Sequence, residues 1–488
     1  MAHITKSDEW DVIVVGHGIA GLSAAVSAAE SGARVLLLER APFGDHGGNT
    51  RWTDALMRLK SEEAVADDFE SHFAANAGHH LDPLVTADLA RDFEDQPRIL
   101  RTLGITDPDV IAEFAGAVPS TIAWLKSHGV VFDFQPTYFI TTCTPRMGPT
   151  GGGLALVEAL TDAANRLGIE IRYETAAIGL EMGSPHGLSI IGPRNRREVV
   201  HSRLIMLACG GFEGNPEMLT HYLGPSARYL RPVARGGYYN RGEGIRMGLA
   251  AGAATAGDFG AIHAEPLDPR SGREEPIVLV FNYGMLVNRD GRRFVDEAPA
   301  TVDATYEGIT RIVQTQPGGI AWAVFDAGIE DVPNWRVSVR SDQPPVEAET
   351  LEELAAACGI DAEGLMDEVD AFNMACPDGD FKPLELDGLR ASPSGQPRKS
   401  NWSRPVVKPP FYAFPIITGN CFTFGGLRCD AKARVLNVQG DPIPGLYAAG
   451  ETMGLYHGTY TGATSVLRGA VFGRIGGRHA ALANAETA

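Results

Sequence analysis

Residues Asp11 to Ala25 read DVIVVGHGIAGLSAA, and the rest of the chain is organised around them. The apolar run Val12–Val15 is followed by Gly16-His17-Gly18-Ile19-Ala20-Gly21, then by Leu22, Ala24 and Ala25 at helical spacing. Strand, glycine turn and helix form the context in which G-x-G-x-x-G carries meaning. The first glycine permits the tight turn, the second lets backbone approach a pyrophosphate, and the third lets helix and strand pack closely. The uncapped N–H groups of the helix then face the phosphate charge. A second strand, Arg34–Leu38, follows Gly32 and ends at Glu39 and Arg40. A carboxylate roughly 20 residues beyond the glycines is placed to accept hydrogen bonds from ribose hydroxyls. The stretch predicts a dinucleotide site built on Gly16, Gly18, Ile19, Ala20, Gly21, Glu39 and Arg40.

The whole chain sets outer bounds. At 488 residues it exceeds one average core, which implies two domains or one domain with an insertion. A net charge of -19 leaves no basic footprint for nucleic acid or an anionic membrane, although local arginines can still set the field of a cleft for an anionic small molecule. The six cysteines show no C-x-x-C, C-x-x-C-H or clustered Cys/His spacing, so iron–sulfur, haem and zinc sites find no support. Met1–Trp10 is polar and no apolar run approaches spanning length, giving the expectation of a cytoplasmic protein without a transmembrane segment.

Further along, Ala41–Thr53 reads as a loop rich in backbone donors, Gly47, Gly48, Asn49 and Thr50 among them. Glu62 to about Lys126 is helix-rich, with Pro97 and Pro119 expected as breaks. Phe132–Ile140 reads as a strand, Thr141–Gly153 as a loop containing Arg146, and Leu154–Leu167 as a helix. Strands follow at Ile169–Tyr173, Ala177–Met182 and Leu204–Ala208, the last ending in Cys209-Gly210-Gly211. From about Phe259 the pattern turns to short strands, with a hairpin-like turn at Asn288–Gly291. Leu351–Met374 reads as helix and Cys376–Lys408 as loop, before Pro444–Glu451 restores a strand and turn and a helix starts at about Ser465.

DVIVVGHGIAGLSAA, GGNTR at Gly47–Arg51, LACGGF at Leu207–Phe212, NRDGRRFVDE at Asn288–Glu297 and PGLYAAGE at Pro444–Glu451 together resemble the fumarate reductase and succinate dehydrogenase flavoprotein family. The motifs run in family order over nearly the whole chain. GGNTRWTDALMR, RGGYYNRGEGIRMGLAAGA and GAVFGRIGG look most like its tricarballylate dehydrogenase branch. The resemblance implies an α/β fold: a discontinuous Rossmann-like FAD-binding domain (1–258 and 423–488) with an inserted α+β capping domain (259–422). It implies FAD, held also by Ala177, Cys209, Gly210, Gly211, Gly450, Glu451, Ser465 and Val466. Some members attach FAD through a histidine; that position falls near Asn49 here, so noncovalent FAD is expected. Cys209 itself suits a small buried residue better than a nucleophile.

Removing or adding hydrogen across a C–C bond requires a carbon facing the flavin, a group that exchanges the neighbouring proton, and donors for the developing negative charge. The proton-delivering arginine of fumarate reductases falls at Thr301, and their substrate arginine near Thr461, so most of the family's cationic contacts are missing. The cap histidine is matched by His263. Tyr460-Thr461-Gly462-Ala463-Thr464 resembles the Tyr-x-Gly-Ala-Gly stretch of ketosteroid Δ1-dehydrogenases, which implies Tyr460 as a donor to a substrate oxygen and Thr464 as a backbone N–H. Tyr306 and Asp303 are the alternative bases. Arg146, Arg235 and Arg468, with Thr461 and Thr464, are candidate substrate contacts, since guanidinium forks suit carboxylates. The expectation is an FAD-dependent dehydrogenase of CH–CH bonds beside a carboxylate or ketone, with a tricarballylate-like substrate ahead of a cyclic ketone or oxo-acid, and the reverse alkene reduction as a further option. Its electron acceptor would diffuse to the protein or dock on it. A redox-inactive protein like a GDP-dissociation inhibitor would share the nucleotide fold, but complete FAD motifs at both ends argue against it.

Overall fold

The computed structural model describes residues 9–76, 83–89, 91, 95–97, 100, 107–136, 138–141 and 146–487. Cys143 and most of the polar leader lie outside the described residues. The elements that build the site are, in chain order, β1 (Glu9–Val15), α1 (Ile19–Glu30), β2 (Val35–Leu38), α2 (Gly152–Arg166), β3 (Glu170–Arg172), β4 (Ala176–Glu181), β5 (His186–Ile191), β6 (Arg197–Leu207), β7 (Ile262–Leu267), β8 (Met285–Val287), α3 (Val302–Val313), β9 (Ile320–Phe325), β10 (Phe411–Thr423), β11 (Arg434–Leu436), β12 (Pro442–Ala448) and α4 (Ser465–Thr487).

The first sheet runs β11-β12-β6-β1-β2-β3, with β5 and β4 branching antiparallel from β6. β1 lies parallel between β2 and β6, and Val12, Ile13 and Val14 are fully buried. A continuous apolar run is what a strand covered on both faces demands. β12 adds parallel to the outer side of β6, so residues near the C-terminus complete a sheet begun at residue 9. Its register, Leu207 opposite Ala448, delivers Gly450 and Glu451 beside Cys209 and Gly210. α4 lies along α1, where Gly469, Gly473 and Gly477 face Ile19, Ala20 and Ala24. Small residues one turn apart let two helix axes approach closely.

The second sheet is organised by β10, which pairs antiparallel with β7 and β9 while β8 extends it beyond β9. Its core of Val278, Val280, Phe281, Ala321, Ala323, Phe414 and neighbours is separate from the core of the first sheet. The architecture is α/β: a Rossmann-like sheet assembled from both ends of the chain, and an inserted α+β layer that caps it.

Local expectations differ from the structure in three places. The Phe132 strand is short, Phe132–Phe134. The helix expected over Leu351–Met374 is two helices, Leu351–Cys358 and Ala362–Ala375, because left-handed Gly359 ends the first and Asp361 caps the second. Pro119 breaks nothing: it lies inside the helix Pro108–Ser127, whose buried face (Phe114, Val118, Ile122, Leu125) holds the turn together. The hydroxyls of Ser120 and Thr121 donate to Ala117 O there.

Candidate active site

One cleft runs between the two sheets and contains about 1800 Å³ of space, part of it open to solvent. Its first end is made largely of backbone. Gly16 adopts φ +108°, and Gly18, the N-cap residue of α1, brings no side chain of its own, so the start of the helix meets the cleft as backbone. Ile19 N finds Thr50 Oγ1 at 3.1 Å, tying the Gly48–Trp52 turn to that terminus. Glu39, at the end of β2, accepts from His17 N at 3.1 Å and Ala41 N at 2.7 Å, and burial pushes its pKa up. Arg40 donates to Tyr239 O and to Glu243, each at 2.9 Å, and all three residues line the cleft. His17 is fully buried, and burial followed by repulsion from His46 lowers its pKa to about 3.

At mid-cleft Glu451 accepts from Thr423 N at 2.6 Å and Thr423 Oγ1 at 2.9 Å. Behind it Glu213 is raised well above the usual range, by burial first and by Glu451 next, and it accepts from Asn49 Nδ2 at 2.7 Å and Asn240 Nδ2 at 2.9 Å. Burial lifts the Cys209 thiol to about 11, so it is a packed thiol rather than a nucleophile. Ala177, Gly210, Gly450, Ser465 and Val466 also line the cleft, whereas Gly21, Gly47 and Gly211 lie outside its lining.

The far end is made of side chains. His263 and Glu265 stand two apart on β7 and share a face; Asp303, Tyr306 and Glu307 stand three and four apart on α3 and share another. β7 meets β10 with an irregularity between His263 and Ala264 that leaves Cys421 as the extra residue on β10. Such a bulge re-aims side chains; here donor atoms of His263, Glu265 and Cys421 lie within 4.8 Å of one another. His263 Nδ1 is 3.3 Å from Glu307 Oε2, and its Nε2 is 3.7 Å from Glu265 and 3.4 Å from Tyr306 Oη. Burial alone would lower its pKa, but Glu265 and Glu307 together raise it to about 9. Burial also raises Tyr306 and Glu275, with Glu265 contributing to both.

Tyr460 packs on His263, Phe422 and Tyr456 with ring centroids 4.5, 5.0 and 5.2 Å away. Its hydroxyl caps α4, accepting from Thr464 N and Ser465 N at 2.9 Å each and donating to Ser465 Oγ at 3.0 Å. Thr464 N thus faces Tyr460, and the Thr461 and Thr464 side chains are buried in the loop, on His72 and Tyr456 respectively. Arg146 lines the cleft, buried, 3.6 Å from Asp303, whose pKa burial raises. Arg468 also lines it and donates to Met453 O at 3.2 Å. Arg235 does not: its side chain is 62% exposed and pairs with Asp45. Tyr138, Phe139, Glu265, Glu275, Cys421 and Phe422 complete this end, and none was singled out from sequence as a site residue. The spacing of Glu265 from His263 and of Glu307 from Asp303 is the signal that could have found two of the acids.

The residues fit FAD. The glycine backbone and helix terminus suit a pyrophosphate, and four cleft-lining residues carry buried polar atoms without a protein partner: His17 Nδ1 and Asn49 Oδ1 towards the nucleotide end, Glu265 Oε2 and Arg468 Nε further along. Comparison agrees: the FAD binding domain family matches residues 11–467. The chain belongs to that family and is an FAD-dependent oxidoreductase of the class acting on CH–CH groups. It is 27% identical to a vinyl phenol reductase of Lactiplantibacillus plantarum, over 98% of this chain and 97% of that protein. With a fumarate reductase (cytochrome) of Shewanella frigidimarina it shares 29% identity over 97% of this chain and 77% of the other. Among solved structures, the 3-ketosteroid-Δ4-(5α)-dehydrogenase of Rhodococcus jostii superimposes with a TM-score of 0.66 at 26% identity, covering 98% of each chain. No helix among the described residues is long and apolar enough to cross a membrane.

Proposed function

We propose that the protein reduces a C=C bond conjugated to a carbonyl or a phenolic ring, in a ring-bearing substrate carrying at most one carboxylate, with FAD held noncovalently. The observation that carries the reading is the proton-loaded, aromatic wall of the cleft: His263 is held charged up to about pH 9, beside Tyr306, Phe422 and Tyr460. A wall of groups holding their protons is built to give one to a carbon, which is the need of alkene reduction; dehydrogenation, its reverse, needs the same groups unloaded. FAD, when bound and reduced by an external electron donor, would supply the hydride. His263 Nε2, with Tyr306 Oη beside it, supplies the proton to the adjacent carbon. Tyr460 Oη, polarised by two backbone N–H groups, turns its proton from Ser465 Oγ to the substrate oxygen as charge develops there. The aromatic rings exclude water and hold a flat substrate.

The same wall weighs against a tricarballylate-like substrate. His263 already faces Glu265 and Glu307, Arg40 pairs with Glu243, and Arg146 lies 3.6 Å from Asp303. Among the described cleft-lining cations Arg468 alone has no carboxylate at ion-pair distance, too little for three substrate carboxylates. Noncovalent attachment is supported by Asn49, whose amide nitrogen donates to Glu213 and to Cys421 O. The test is anaerobic: the protein with its flavin chemically reduced is mixed with a cyclic enone, a 4-vinylphenol or an unsaturated tricarboxylate, and the oxidised protein with tricarballylate. Return of flavin absorbance with the first two only is expected, slowed about 10²-fold by Tyr460→Phe. Bleaching by tricarballylate would overturn the reading.

A further inference from the structure

We propose that Glu307 is the positioning residue of this site: its one carboxylate holds His263 turned towards the cleft and the Tyr460 loop in place, so that proton donor and oxygen-binding tyrosine are set by a single group. The inference rests on the reading that His263 delivers a proton.

Glu307 lies on α3 behind the cleft lining, four residues after Asp303 and one after Tyr306, which do line it, and is buried. It takes three donors from three segments. His263 Nδ1 approaches Oε2 from β7 at 3.3 Å. The Tyr460 backbone N–H approaches both oxygens from the C-terminal loop, at 3.3 and 3.4 Å. Arg311, one turn along α3, pairs with Oε1. A carboxylate between cationic and neutral donors in a dry setting is worth more than one in water, and removing it strands its partners.

The geometry divides the labour of the imidazole. With Nδ1 committed to Glu307, Nε2 is the edge turned to the cleft-lining residues Tyr306, whose Oη stands at 3.4 Å, and Glu265, at 3.7 Å. Arg311 reaches on to Ile262 O and Gly458 O and is a quarter exposed, so the hub sits between the cleft and the surface. The charged or titratable groups facing His263 are Glu265 on its own strand, Cys421 on β10, Tyr306, Glu307 and Arg311 on α3, and Tyr460 on the loop. Among them Glu307 alone touches both His263 and the Tyr460 backbone.

Two substitutions pull in opposite directions, which separates positioning from general damage. In the FAD-loaded protein with labelled histidine, NMR titration of His263 should show its pKa falling by roughly 1–3 pH units in Glu307→Gln. In Arg311→Gln it should rise, because the cation that competes for the carboxylate is gone. The alkaline limb of the pH profile for alkene-driven flavin reoxidation should move with each, and Glu307→Asp should restore part of the wild-type behaviour. An unchanged His263 titration in Glu307→Gln, or a fall in Arg311→Gln, overturns the inference. If Glu307→Gln does not fold, the sign of the Arg311→Gln change decides alone. Should no alkene reoxidise the flavin while both shifts appear, the reaction reading fails and the hub stands.

Discussion

Two buried histidines mark the two ends of the cleft, and their surroundings treat them oppositely. His17 sits in the glycine turn, where the neighbours are backbone, His46 and Tyr173, and burial drives its pKa down to about 3. His263 sits between two carboxylates, which overcome burial and drive it up to about 9. The first end offers backbone donors and an uncharged ring to a cofactor that brings its own negative charge. The second, on the proposed reading, would supply a proton to a substrate that carries little charge. One end is shaped by where the chain can go, and the other by which side chains meet.

The largest effect that would break this contrast comes from the backbone end. A methyl on Gly21 would fall inside the contact distance of Gly16 O, and nothing flexible is there to yield. Gly21→Ala should therefore cost on the order of 3 kcal/mol of stability, read as a lowered thermal midpoint, together with loss of bound flavin. Gly18 differs. Its methyl would stand 3.6 Å from Gly47 O and Thr50 Oγ1, an ordinary contact, so Gly18→Ala should fold with an unchanged midpoint and lose flavin affinity by tenfold or more. Equal losses of stability in the two variants would mean that the turn is simply crowded, with no place kept for a phosphate.

This contrast also explains what the sequence could say. Gly16 through Glu39 form one local unit whose geometry follows from consecutive residues, so strand, turn, helix and carboxylate were legible together, and the C-terminal Gly450-Glu451 with them. The side-chain end of the cleft is not local. His263, Cys421, Glu307 and Tyr460 come from four segments, and they meet only because β7 pairs with β10 through a bulge that no spacing announces. Arg235 looked like a cleft residue because glycines surround it, but neighbours in sequence do not fix which way a side chain faces. The resemblance gives the Thr464 backbone N–H to a substrate oxygen, whereas in the structure it donates to the Tyr460 hydroxyl.

The histidines make the next test, through stability against pH. A folded pKa above the unfolded value near 6.5 means that His263 contributes fully below about pH 6.5, and that the contribution is lost as pH rises to about 9. His17, folded pKa about 3, works the other way: stability falls as pH drops from about 6.5 towards 3, because the unfolded chain takes up the proton that the buried ring refuses. Each slope is at most roughly 1.4 kcal/mol per pH unit. Denaturant midpoints should show the alkaline slope reduced in His263→Gln and the acid slope reduced in His17→Asn. Interchanged slopes would mean that the two environments have been assigned to the wrong ends.

The smallest effect concerns how much charge the substrate end will accept. Arg146 and Arg235 both neighbour glycine-rich stretches, but one is buried against the cleft near Asp303 and the other is open to solvent on Asp45. At 3.6 Å the Arg146–Asp303 pair is loose, and burial already pushes Asp303 towards its neutral form, which lets the guanidinium turn to a substrate carboxylate. Arg146→Gln should then weaken turnover of a ring ketone bearing one carboxylate by about tenfold, the scale of one charge-assisted hydrogen bond. The uncharged ring ketone should change by less than about threefold, and Arg235→Gln should leave both within that margin. Matching losses for charged and uncharged rings in Arg146→Gln would assign the arginine to holding α3 through Asp303. Selectivity would then have to come from the aromatic wall alone.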